Sequence, residues 1–281
     1  MKPESQEISL QKGYVFTVEV LQGKAPSKVH RVYILLIFIL FATICVICQN
    51  VFPEPYSILK NSISDQGCPL NNPNGYYLFN IGIIVMALLL VPHFLYLSHV
   101  LKQVMPGVTF ITLFLGFIGS IGMIIVGIFP KHMEPIHGIA AMITFIAFFL
   151  YSNGTFIIFL QTRIFLKSFR SRSKGLITYL VLFNISFAGL IIACIFLENP
   201  PESQEIMNLF FTFPLWEWLY FLVIMGWLIG AFILVNQIEL TQLPKRSNQA
   251  WPLFVNWLQL NRPRVDGAFR KLLHKSNFSN Q

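Results

Sequence analysis

The chain reads as an all-α, polytopic membrane protein: a bundle of six transmembrane helices with both termini in the cytoplasm. Three observations predict this: the composition, six long apolar runs without formal charge, and the placement of lysine and arginine. Hydrophobic residues make up 55% of the 281, charged residues only 11%, and the mean hydropathy is +0.63. That leaves too little polar surface to enclose a water-soluble domain of this length, so lipid must be part of the solvent.

A bilayer core about 30 Å thick needs on the order of 20 helical residues, and six runs of that kind lack Asp, Glu, Lys and Arg. They are expected over 32–51, 76–99, 106–129, 137–160, 175–197 and 218–238. Each must be a helix, because an isolated strand would leave its backbone groups unpaired in hydrocarbon. The first run follows a charged tail and approaches spanning length, the pattern of a retained anchor rather than a cleaved signal peptide. No repeat or domain break intervenes, which divides the chain into a cytoplasmic tail (1–31), a transmembrane domain (32–238) and a second cytoplasmic tail (239–281).

Orientation follows from the rule that cations near span ends stay in the cytoplasm. With the N-terminus inside, all of the 20 Lys and Arg residues except Lys60 and Lys131 fall on inner segments, while Glu54, Asp65, Glu134, Glu198, Glu202 and Glu205 fall outside. The net charge of +8 is therefore a topology signal and an attraction of the basic loop 163–174 and the C-terminal tail to anionic inner-leaflet lipid, not a nucleic-acid footprint. The expected location is the plasma or cell membrane, and the expected partners are membrane lipids.

Helices in lipid associate by close approach and by polar contacts. Gly116, Gly119, Ser120, Gly122 and Gly127 on the third run, and Gly226, Gly230 and Ala231 on the sixth, would let these two helices bring their backbones close. Packing inside one bundle is the first reading of these faces, and a homo-oligomer contact the second. Asn80, Asn153 and Asn184 are expected to hydrogen-bond between helices, and Pro92 beside His93 to bend the second. Cys45, Cys48 and Cys194 lie in apolar runs as small buried thiols, whereas Cys68 sits in a polar loop within conceivable reach of Cys48 or Cys194. The segments "WPLFVNWLQL" and "GAFRKLLHK" of the tail read as amphipathic surface anchors, and "YVFTVEV" near the N-terminus alternates like a strand.

The polar stretch "NSISDQGCPLNNPNGYYLFN", 61–80, stands between the first two runs. With the spans oriented it is the first outer loop. The second outer loop, "FPKHMEPIH", carries His132, Glu134 and His137, and the third leads through "FPLWEWLY" with Glu217 between two tryptophans. Short loops force Asp65, His132, His137 and Glu217 toward one vestibule, with Ser62 and Ser64 supplying hydroxyls and Asn80 opening the second helix. His137, just after Pro135, lies where a helix start exposes N–H groups and desolvation begins, so it could accept a proton, ligate a metal or bond Asp65. The competing reading makes Ser64 and Asp65 turn formers before Gly67 and Pro69, and His132 a solvated loop residue. Asp65, His132 and His137 are chemically adequate zinc ligands, but the His-x4-His pair spans a proline-containing loop and matches no tight metal motif. No serine elbow, phosphate-cradling glycine loop or dinucleotide fingerprint occurs, and no cofactor is expected.

Ser62-Ile63-Ser64-Asp65, Phe79-Asn80, Gly127-Ile128-Phe129-Pro130 and His137 together resemble a family of six-helix membrane proteins, mostly archaeal and bacterial, known only as a domain of unknown function. More distantly the pattern is similar to the DRAM/Sfk-like membrane proteins. The resemblance spans about Arg31 to Ile238 and implies fold and topology, not a reaction. The leading expectation is a non-enzymatic membrane protein whose outer polar pocket binds a lipid headgroup or small polar ligand. The alternative is a membrane-embedded hydrolase, with or without metal, using Asp65 and His137. A proton-coupled transporter ranks last, because every expected span lacks a carboxylate.

Overall fold

The computed structural model describes residues 17–166, 169–170, 173, 175–198 and 212–238. Six helices dominate them: α1 (Ser27–Asn50), α2 (Tyr76–Leu101), α3 (Pro106–Ile128), α4 (Ile136–Phe165), α5 (Leu176–Glu198) and α6 (Phe213–Val235). All six are long and apolar enough to cross a membrane. Even a 23-residue helix such as α3 rises about 35 Å, enough for a hydrocarbon core of about 30 Å.

Prolines set two of the starts. Pro106 and Pro214 occupy the first turns of α3 and α6, where the missing N–H is not needed for an intrahelical bond. In consequence α6 begins at Phe213, five residues before the expected position, and Glu217 lies inside a span. The expectation of carboxylate-free spans is therefore wrong for α6. The strand-like alternation near the N-terminus is likewise helical over residues 17–21, where no strand among the described residues could complete a ladder, and residues 14–16 lie outside the described part. Gly23, at φ +66°, then reverses the chain where its α-carbon lies against the backbone of Leu95 and Tyr96, a conformation and a closeness only glycine tolerates. The basic tail 239–281 with its two amphipathic segments also lies outside the described residues.

Neighbours in sequence are neighbours in space. α3 packs most extensively on α4 and then on α2, with α5 against α6 and α1 against α2. The α3 glycines make this possible, but toward partners other than α6. A β-carbon at Gly116 would sit 3.0 Å from Phe94 of α2, and one at Gly119 would sit 2.6 Å from Phe148 of α4. Gly122 meets Thr144 of α4, and on α6 Gly226 meets Tyr179 of α5. Asn184 donates to Asn153 Oδ1 at 3.3 Å, linking α5 to α4, as the sequence predicts. Further cross-helix bonds come from aromatic donors: Trp227 Nε1 to Thr155 Oγ1 at 2.9 Å, Tyr179 to the Val223 carbonyl at 2.6 Å, and Tyr220 to the Phe145 carbonyl at 2.8 Å. Each satisfies a polar group that lipid could not.

Near the other end of the bundle, two buried histidines join α1 to α2. His30 Nε2 and His93 Nδ1 are 3.1 Å apart, with the rings within 8° of parallel and their centroids 5.3 Å apart. Rings that were stacked face to face at van der Waals distance would be closer, so these lie nearly end to end, joined by one N–H···N bond. Tyr96 stacks on His30 at 3.9 Å. α2 continues through Pro92 as one helix. No disulfide joins the four cysteines, and Cys68 is a buried thiol.

Candidate functional site

A single 3₁₀ turn, Ile63–Gly67, seats the polar loop on the bundle and contacts α1, α2 and α6. Its geometry is set by Asp65, which is 5% exposed. Oδ2 accepts the Ser62 backbone N–H at 2.7 Å, and Oδ1 accepts Asn71 Nδ2 at 2.7 Å and Lys131 Nζ at 2.6 Å. Burial by itself would push this carboxyl up. The hydrogen bond and charge of Lys131, with the Ser62 donor, outweigh burial and hold it below the usual carboxylate range. Lys131 also donates to Ser62 Oγ at 3.1 Å, and Ser62 Oγ lies 3.0 Å from Ser64 Oγ. Thus the loop joining α3 to α4 is clamped onto the loop joining α1 to α2.

Two more bonds fix the turn from below. Asn80 Nδ2 donates to the Gly67 carbonyl at 2.9 Å, so this asparagine holds the loop rather than a neighbouring helix. Glu217, 3% exposed, accepts the Ile63 N–H through Oε2 at 2.8 Å and ties α6 to the same turn. Beside it the Tyr56 hydroxyl donates to the Ser62 carbonyl at 2.9 Å and accepts from Trp218 Nε1 at 3.0 Å. Burial raises the Tyr56 phenol above its ordinary value, which keeps it a donor.

Under the turn, between α2, α3, α4 and α6, lies a cavity of about 60 Å³, several times the ~10–15 Å³ that one water requires. Ser64, His137 and Glu217 stand at its loop end and Phe79, Ile83, Phe148 and Met225 line the rest, so that the surface it exposes is almost wholly apolar. His137 Nδ1 lies 2.8 Å from the Phe129 carbonyl, which can only accept, so Nδ1 carries the proton and Nε2 is the acceptor of the neutral ring.

Of the residues singled out in the sequence, Ser62, Ser64, Asp65, Asn80 and Glu217 form one hydrogen-bonded assembly. His137 joins it through the shared cavity, without bonding Asp65, and His132 is exposed on its loop. No three His, Cys, Asp or Glu side chains among the described residues group to hold a metal ion, and the Asp65 oxygens are already occupied by protein donors. Lys131, Tyr56, Asn71 and Trp218 went unrecognised in the sequence. Lys131 had a usable signal as one of only two cations assigned to this end of the bundle.

The fold and site define an integral, multi-pass membrane protein that carries a buried polar assembly at one end of its helices. The chain belongs to the family described as protein of unknown function (DUF998), whose model matches residues 35–234. Comparison with curated proteins and with solved structures gives no match.

Proposed function

We propose that this protein binds a membrane amphiphile in the cavity beneath the Ser62–Asp65 turn, on the outer leaflet side. The observation that carries the reading is the cavity's almost wholly apolar lining of phenylalanine, isoleucine and methionine, which begins at Ser64, His137 and Glu217 beneath the turn. His137 to Phe148 is eleven residues, roughly 16 Å along α4, so the cavity wall runs from headgroup depth to about the bilayer middle. A single hydrocarbon chain of a membrane amphiphile has that apolar character and that length. The outward sidedness is supported by Lys24, Lys28, Arg31, Lys102 and Arg163, which lie toward the opposite end, against Lys60 and Lys131 at this one.

The hydrolase reading finds no comparable support. Asp65 spends both oxygens on Ser62, Asn71 and Lys131, and His137 directs Nδ1 to the Phe129 carbonyl. Native mass spectrometry of protein purified from its own membrane tests the proposal. The wild type should retain a lipid-sized adduct that Ala141→Phe, which fills the cavity wall, loses. Equal retention by both proteins would overturn it.

A further inference from the structure

A second concavity lies at the opposite end of the bundle, a groove of about 440 Å³ between the start of α1 and the end of α6. That volume is within the ~300–1,000 Å³ typical of small-molecule sites. Ile34 and Phe232, both buried, form its floor, and Leu35 and Ile233, both exposed, form its lips, so it opens sideways to the surrounding lipid. Ile229 to Asn236 is seven residues, roughly 10 Å along α6, which carries the groove from headgroup depth into hydrocarbon.

The charge at the mouth of this groove is uncompensated. Arg31 lines it, is exposed, and makes no hydrogen bond or ion pair among the described residues. Lys28, one turn earlier on the same face of α1, is likewise exposed and without a partner there. No carboxylate lines the groove. Asn236, the polar neighbour across from Arg31, is committed to the protein: Oδ1 accepts the Tyr96 hydroxyl at 2.8 Å and Nδ2 donates to the Phe232 carbonyl at 2.7 Å. α1 begins here and α6 ends here, so their terminal partial charges of about +0.5 and −0.5 offset each other, and the full charge of Arg31 sets the sign.

We infer that this groove holds a phospholipid of the adjacent leaflet with a net negative head, its phosphate on the Arg31 guanidinium and one acyl chain between α1 and α6. The site is separate from the cavity beneath the turn and does not rest on the amphiphile reading. A guanidinium presents two parallel N–H donors to two phosphate oxygens, and the apolar floor takes the chain that the same lipid brings. A zwitterionic head carries the same phosphate but adds a cation beside Arg31 and Lys28, with no carboxylate in the lining to receive it, so the anionic head is preferred.

The test is native mass spectrometry of the full chain in one detergent, titrated with palmitoyl-oleoyl phosphatidylglycerol or with phosphatidylcholine of the same chains. The wild type should bind one phosphatidylglycerol about tenfold more tightly than phosphatidylcholine, and Arg31→Gln should lose about that factor and bring the two lipids level. Arg31→Lys, which keeps the charge, should keep most of the preference. Lys102→Gln removes a cation from the same end but outside the groove and should change nothing, and neither should Ala141→Phe, which fills the other cavity. Arg31 has no partner in the fold, so the melting temperatures of the Arg31 variants should match the wild type. Unchanged binding by Arg31→Gln, the result expected if the chain's own tail fills the groove, would overturn the inference. So would equal losses in Arg31→Gln and Lys102→Gln, which would mean a diffuse field of cations, or loss in Ala141→Phe, which would put the lipid in the other cavity.

Discussion

Asp65 is where the loop's chemistry concentrates, and its role was readable in outline: a Ser-x-Ser-Asp run before Gly67 and Pro69 is turn chemistry. What sequence could not supply was the partner 66 residues on, because Lys131 looks like any loop cation until the two loops are seen in contact. The pair is half sheltered, with the Lys131 side chain 38% exposed and that of Asp65 8%. Lys131→Met should therefore destabilise the protein by about 1–2 kcal/mol, between the values typical of surface and of buried pairs. Asp65→Asn combined with Lys131→Met should cost less than the sum of the two single changes, measured by thermal melting in one detergent. The pH sign follows from the lowered carboxyl. A folded pKa below the unfolded value contributes stability at neutral pH and loses it as pH falls through and below about 4. The wild-type melting temperature should drop there, and Asp65→Asn should be lower at neutral pH and show a smaller drop.

At the level of elements, six helices were legible because each had to satisfy its own backbone in lipid, which makes long uncharged runs unambiguous. The start of α6 was less so, since a rule that excludes charges from spans stops at Glu217; burial against the Ile63 N–H is what admits a carboxyl there. Glycine pairing was half legible. Close approach was foreseen, but α3 directs its glycines to α2 and α4, partners fixed by short connections rather than by motif. Gly119→Ala should lower the melting temperature, at a cost of about 1–3 kcal/mol, because its β-carbon meets the Phe148 ring at 2.6 Å. Gly107→Ala, on the same helix with nothing within 4 Å, should be neutral or slightly stabilising by helix propensity. Equal effects at the two positions would show that α3 does not pack on α4 as described.

For the whole molecule, six spans bring the start of α1 and the end of α6 to one side, and the hydrogen bonds from Lys131 to Asp65 and from the Ile63 N–H to Glu217 join the α1–α2 and α3–α4 connections to α6 at the other. The sidedness we propose is open to direct labelling in a cysteine-free background. Leu70→Cys, at a position 79% exposed near the turn, should react with a membrane-impermeant maleimide on intact cells, whereas Lys102→Cys should react only after permeabilisation. The reverse pattern would invert the protein. The central claim, that the cavity beneath the turn holds a lipid-like chain, is tested most directly by an experimental density map of the protein in a lipid nanodisc. An elongated density running from Ser64 and Glu217 down to Phe148 and Met225 is the expected result. A cavity closed by side-chain contact between Phe79 and Phe148, with lipid density only on the outer perimeter of the helices, would contradict it.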